Sequence, residues 1–326
     1  ELAERLGDTH ADAIAHAWRE LTRSRDPSSQ GRYHDALRSA GLDPPIALPA
    51  ESNALSSAQS SLWFFQQMHP ASPAYNLTFA YRLKGPLDLQ AMDLALGDLV
   101  SCNEALRTAF TEQSGGPAAR PLPPQSVAFE VGHDRVDPES VQQYVNDCAR
   151  VPFDLVQAPL FRAYVGAVDD HDNVLVLVVH HIVFDGWSRH LLLRQLTDAY
   201  RRHGSGVLDL PPADRVTYGV FAEHQRRWLS SSKASEDLEF WRSKLAKVDG
   251  AMPIATDRPR PDKQTHTGRK RIQRLGSNLS NQIEAFAAAM RTTPFIVMLA
   301  ALKMLLRLKG VSDLIVGVPF ANRTVE

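Results

Sequence analysis

Cysteine is scarce in this sequence: Cys102 and Cys148 are the only two among 326 residues. They stand far apart and without CxxC spacing, which excludes a disulfide framework, gives no sign of a zinc site, and makes a reducing cytoplasm the expected compartment. An excess of charge of one sign is lacking too. Lys and Arg number 36 against 37 Asp and Glu, for a formal net charge of -1, so nothing electrostatic points to nucleic acid or an anionic membrane as partner. Long apolar runs are missing: the longest, Pro294 to Leu308, is interrupted by Lys303 and Arg307 and is too short to span a bilayer. No basic, then apolar, leader opens the chain. A serine elbow, a phosphate-binding glycine loop, a dinucleotide fingerprint and HExxH are absent, and Lys309-Gly310 and Gly115-Gly116 lack the pattern around them that would give them meaning.

What is there begins with an ordinary globular composition, 44% hydrophobic and 22% charged, in a chain long enough for two cores. The most informative stretch is Val174 to Arg194. Its run of Val and Leu from Val174 to Val179 fits a strand buried on both faces. Leu192, Leu196 and Ala199 then recur at i, i+4 and i+7, the spacing of an amphipathic helix. Between them lies HHIVFDG, His180 to Gly186, a polar connection held by two rigid elements. Successive residues at a strand end point to opposite sides, so only one of the two histidines faces a given cavity. His181, beside the loop, is the candidate for the accessible group, since an imidazole with an ordinary pKa near 6.5 suits proton transfer. Asp185, beside Ile182, Val183 and Phe184, needs a cationic partner to stay ionised, an architectural role. Gly186 lacks a Cβ and permits a tight turn and close approach of a substrate backbone or thioester. From the local chemistry alone an imidazole at a strand end is more often structural than catalytic, and adjacent residues diverge too much to favour a metal.

Around this centre the chain falls into three parts: a helical segment over 1–52 for docking or linking, a lobe over 53–230 and a partial second lobe over 231–326. In the first part Ile14, Trp18 and Leu21 line one helix face, and Asp43 to Ser52 reads as a linker. From Leu55 the spacing predicts a helix at Ala58 to Met68 and a strand at Tyr75 to Leu83, with Leu77, Phe79, Tyr81 and Leu83 on one face. A helix N-capped by Asp88 follows, striped by Leu89, Met92, Leu96 and Leu99. Ser114 to Gln125, rich in Gly and Pro, reads as an exposed loop. Strands are expected at Val127 to Val131 and Phe161 to Val168, with a helix at Pro138 to Arg150 between them. Further on come helices at Tyr218 to Leu229, Ser235 to Leu245 and Asn278 to Arg291, a buried helix at Pro294 to Leu308, and strands near Arg269 to Leu275 and Asp313 to Pro319. Strands mixed with helices in this order indicate an α/β (α+β) fold.

HHIVFDGWS, His180 to Ser188, matches an HHxxxDG signature. Four other segments stand in a fixed order around it: SSAQSSLWFFQQ at Ser56 to Gln67, NEALRTAF at Asn103 to Phe110, YGVFAEHQ at Tyr218 to Gln225, and VGVPFANR at Val316 to Arg323. With these motifs the chain resembles the condensation domains of nonribosomal peptide synthetases, in the chloramphenicol acetyltransferase-like superfamily, over about Leu55 to Arg323. ATDRPRPDKQTHTG at Ala255 to Gly268 is similar to the start of the family's second lobe. The resemblance implies a two-lobed fold in a V arrangement, the second lobe incomplete in this chain, with a tunnel between the lobes. It implies amide formation between a donor acyl thioester and an acceptor amine, delivered on phosphopantetheine arms by upstream and downstream carrier proteins, with no cofactor bound directly and no metal. His181 would be the catalytic group. His180, Asp185, Gly186 and Arg107 would support the loop, Arg107 as the ion-pair partner of Asp185. Departures from the family pattern are Cys102-Asn103, where Arg-His usually precedes Glu104, and Ser61 in place of an arginine before Leu62.

Two other readings compete with amide formation. A non-catalytic carrier-docking platform is disfavoured by intact His180, His181 and Asp185, and ester formation with a hydroxyl acceptor would use the same base. Heterocyclising members carry aspartates where this chain has His180 and His181, and WSRHLLLR after Gly186 reads less like the epimerising members. Residues 1–50 are a candidate docking element for another polypeptide.

Overall fold

The computed structural model describes residues 53–113, 116–205, 217–246, 257–259, 262, 271–311 and 315–318. The expected helices and linker of residues 1–52, and nearly all of Ala255 to Gly268, lie outside the described residues. A four-stranded sheet organises the first part, in the order β1-β6-β5-β4. β1 (Asn76–Lys84) and β5 (Phe161–Asp169) flank β6 (Asp172–His180) antiparallel, and β4 (Val131–Arg135) pairs parallel to β5. All nine residues of β6 are buried, as the uninterrupted Val and Leu run predicts.

Alternation along β6 divides the interior in two. Leu175, Leu177 and Val179 enter a core shared with Met92, Leu96 and Leu99 of α2 (Leu89–Cys102) and Leu192 and Leu196 of α4 (Ser188–Gly204). Val174, Val176 and Val178 enter a second core with Phe110, Phe153, Leu155 and Leu160. Each such buried side chain contributes about 1.5–3 kcal/mol by removal from water, so β6 is fixed from both faces. At its first residue Asp172 is ion-paired with Arg82 and with Lys84 (2.6 Å). Those cations hold its carboxyl well below the usual carboxylate range.

The helices start where their caps are. Asp88 Oδ1 accepts from the Ala91 N–H at 3.0 Å at the head of α2. Ser56 and Gln59 form a capping box at α1 (Ser57–Met68). On α2 the buried stripe is Met92, Ala95, Leu96, Leu99 and Val100. Leu89, at the first turn, is exposed, so the expected stripe is corrected there. α3 (Val141–Arg150) covers the second core from one side, with Val141, Tyr144, Val145 and Cys148 against it. Gly166 of β5 lies beneath it: a Cβ there would fall 2.7 Å from Val136 Cγ2 and 2.8 Å from Tyr144 Cε1, so only glycine fits.

Several expectations are corrected. Gly116–Pro121 is strand β3, paired antiparallel with β2 (Thr108–Gln113), because its backbone is drawn into a hairpin over buried Ala118 and Ala119 despite the Gly and Pro content. β4 begins at Val131, four residues later than expected, since Val127 and Phe129 pack from irregular backbone, Phe129 stacking on Phe161 at 5.6 Å. Farther on, α5 (Tyr218–Leu229), α6 (Ser232–Leu245), α7 (Ser277–Ala289) and α8 (Pro294–Leu308) form as the periodicity predicts. α8 is not a buried helix, however: among the described residues nothing covers Phe295, Met304 or Leu308, the last 83% exposed. Residues 271–276 and 315–318 have no strand hydrogen bonding. No single helix among the described residues is long and apolar enough to cross a membrane.

Candidate active site at the end of the central strand

β6 delivers His180 and His181 to the rim of the sheet, and their surroundings diverge at once. His180 is 1% exposed, flanked edge-on by Phe153 at 6.0 Å. Its Nδ1 accepts from the Ile182 N–H at 3.1 Å, so the ring proton sits on Nε2. Burial, with His181 adding to it, lowers its pKa to about 4 and keeps the ring neutral. His181 lies past the strand and is exposed. Its own N–H donates to the Tyr75 carbonyl at 2.9 Å, and its Nδ1 lies 2.8 Å from the Phe184 carbonyl oxygen. A carbonyl only accepts, so in the neutral ring Nδ1 carries the hydrogen and Nε2 keeps a lone pair. The loop thus aims one basic nitrogen outward from an imidazole whose other nitrogen is tied down. Such a group can take a proton from an amine or hydroxyl and hold the resulting imidazolium in place.

The loop residues have distinct tasks. Asp185 is half-buried, and its Oδ1 accepts from the Ser188 N–H at 2.9 Å and the Ser188 hydroxyl at 2.7 Å. It therefore sits at the N-terminal end of α4, where negative charge is favoured. The expected ion pair with Arg107 does not form. The Arg107 guanidinium donates instead to the Leu122 carbonyl, and the Leu122 N–H returns a bond to the Arg107 carbonyl at 3.1 Å. Arg107 closes the base of the β2–β3 hairpin, a placement set by tertiary packing. Gly186 is exposed, has no positive φ, and a Cβ there would meet nothing within 4 Å. Neither backbone conformation nor crowding among the described residues therefore requires glycine at this position. Trp187, 68% exposed, stands next to it.

Residues the loop signature does not contain hold it from behind. Gln59 is buried; its Nε2 donates to the Ile182 carbonyl at 3.1 Å and its Oε1 accepts from the Ser56 N–H at 3.1 Å. Ser56 Oγ lies 3.1 Å from the Tyr218 hydroxyl, and the Ser57 N–H donates to Gln225 Oε1 at 2.8 Å. Three of the sequence motifs, SSAQ, HHIVFDG and YGVFAEHQ, are therefore joined by hydrogen bonds through the head of α1. Leu160 makes the link to NEALRTAF: its N–H donates to the Leu106 carbonyl at 3.0 Å, and its carbonyl accepts from the His180 N–H at 3.1 Å. Ser56-x-x-Gln59 is legible as a capping box; that its glutamine also reaches the histidine loop is not.

Comparison with known proteins adds kinship to this geometry. A family model described as a condensation domain matches residues 50–326. The chain is similar to a linear gramicidin synthase polypeptide of Brevibacillus parabrevis, 34% identical over 280 residues that cover 83% of this chain and 5% of that protein. It is also similar to phosphinothricin tripeptide synthetase PhsC of Streptomyces viridochromogenes, 34% identical over 313 residues, 91% of this chain and 28% of that one. It thus spans a small part of the length of these relatives. Among solved structures, the first condensation domain of the calcium-dependent antibiotic synthetase, in complex with a substrate analogue, aligns with a TM-score of 0.67 at 22% identity, covering 81% of this chain and 62% of that one. The starter condensation domain of rhizomide synthetase aligns at 0.54 and 23% identity, covering 61% and 49%. At these identities the two structures speak for the fold.

Proposed function

Because the chain belongs to the condensation-domain family of nonribosomal peptide synthetases, we propose that it joins a donor acyl thioester to the amine of an acceptor aminoacyl thioester, both carried on the phosphopantetheine arms of partner carrier proteins. Residues 53–230 would form one lobe and 231–326 part of a second, arranged as a V, with the reactants meeting at His181. The acceptor nitrogen attacks the donor carbonyl carbon, a C–N bond forms, and the carbon–sulfur bond then breaks. The pantetheine thiolate leaves and ends as the thiol, taking up the proton that the nitrogen gives away. His181 Nε2 takes that proton from the nitrogen and passes it on, or positions the amine through the same lone pair. Gly186 leaves space for the thioester, and Asp185 fixes the loop to α4. Residues 1–52 would serve as a docking or linking element.

The observation that carries this reading is the bond from His181 Nδ1–H to the Phe184 carbonyl, which leaves an exposed, fixed nitrogen base at the end of a strand buried on both faces. The test is single-turnover transfer between two loaded carriers. His181→Ala is expected to lower the amide-forming rate by about 10²–10⁴-fold. Product formation at the unaltered rate by this variant would overturn the assignment. A hydroxyl acceptor run in parallel separates amide from ester formation, and carrier binding with no turnover by the unsubstituted protein would indicate a docking platform instead.

A further inference from the structure

We infer that Gln59, remote in sequence from the histidine loop, is a positioning residue that sets the tautomer and aim of His181 by gripping the Ile182 carbonyl. The inference deepens the reading of His181 as the reacting base and rests on it. Gln59 is the third residue of the capping box that starts α1, and a capping box uses only one end of that side chain: the oxygen, which accepts the Ser56 N–H at 3.1 Å. The other end, Nε2, is not needed for the cap. It crosses to the loop and donates to Ile182 at 3.1 Å.

The carbonyl it grips belongs to the residue immediately after His181. Ile182 is held on both sides, its N–H by His180 Nδ1 and its carbonyl by Gln59. With both of its peptides tied, the chain turns back so that Val183 N–H meets the His180 carbonyl and the Phe184 carbonyl arrives 2.8 Å from His181 Nδ1. Gln59 is buried, so water does not substitute for a lost donor, and the Ile182 carbonyl would be left without this partner in a dry place. The Ile182–Val183 peptide then keeps only the bond from its Val183 N–H to the His180 carbonyl, and as it swings about that single tie the Phe184 carbonyl ceases to dictate which ring nitrogen bears the hydrogen.

Glutamate separates the two jobs of the side chain. In Gln59→Glu, assayed at a pH high enough to keep the buried carboxylate ionised, it still accepts the Ser56 N–H, so the cap persists, while the donor to Ile182 is gone and an oxygen faces an oxygen. The expected result is a folded protein whose kcat for amide transfer drops by up to about 10²-fold, as small misplacements of a reacting group do, with KM for either loaded carrier little changed. In two-bond ¹⁵N correlation spectra of the histidine-labelled whole chain, His181, identified by its loss in His181→Asn, should pass from an Nδ1–H signature to a mixture of tautomers. Ser56→Ala is the counterpart: it weakens the cap and lowers the melting temperature but leaves the His181 signature as in the unsubstituted chain. Should Gln59→Glu not fold, Gln59→Met, which drops both bonds at similar volume, carries the same expectation. An unshifted tautomer in the folded variant, or an unchanged kcat, overturns the inference. If the unsubstituted protein forms no amide, the proposed function fails, and the tautomer alone decides the role of Gln59.

Discussion

His180 binds no proton until well below neutrality, because protonation would put a charge among Phe153, Val178 and Ile182 with His181 alongside. Its folded pKa of about 4 lies below the 6.5 of a free imidazole. Between those values the unfolded chain takes up a proton that the folded chain refuses, so this residue's contribution to stability is present above about pH 6.5 and is lost as pH falls toward 4. By pH 5 the loss amounts to about 2 kcal/mol. In His180→Asn the amide oxygen can replace Nδ1 as acceptor for the Ile182 N–H, and nothing titrates. Urea unfolding at pH 7, 6 and 5 should give a flatter profile for this variant than for the parent, whatever its offset in stability. Parallel profiles would mean that His180 is not the group responsible.

At the scale of elements, two glycines make opposite predictions. Gly166→Ala must push its new methyl into Val136 and Tyr144, and Tyr144 cannot yield freely while its hydroxyl donates to Asp134 at 2.9 Å. A loss of about 1–3 kcal/mol in chemical denaturation is expected. Gly97, inside α2, faces open space, so Gly97→Ala should raise stability by about 0.5–1 kcal/mol. Which elements could be read from sequence follows the same local logic. β6 declared itself because Val174 to Val179 leave no polar position. α5 and α8 match the expected bounds because apolar spacing and, at α8, the Thr293 cap with Pro294 mark them. β3 was hidden, since Gly116, Pro117 and Pro121 speak against a strand and only the partner β2 makes it one. The histidine loop was legible as a signature of polar residues in a fixed spacing. The partners of Asp185 and Arg107 were not, because a carboxylate can accept from, and a guanidinium donate to, several neighbours and only the packed chain chooses between them.

In the whole molecule, stability is distributed unevenly. β5, β6 and β1 form a continuous ladder between two cores, and the head of α1 ties the histidine loop to α5. α7 and α8 have a single buried residue between them, Ala287. Native-state hydrogen exchange should therefore be slowest at Leu175 to Val179 and orders of magnitude faster across Pro294–Leu308. Equal protection in the two segments would contradict this distribution.

The tie between Leu160, Leu106 and His180 is made by main-chain atoms alone, and so it survives changes of side chain in that stretch that keep buried Leu155 and Leu160 apolar. Grafting the equivalent segment from a relative, residue for residue, should leave the first histidine seated. Inserting one residue ahead of Leu160 would shift the anchor by a full peptide and unseat it, so for anyone recombining such domains the length of this segment constrains more than its spelling.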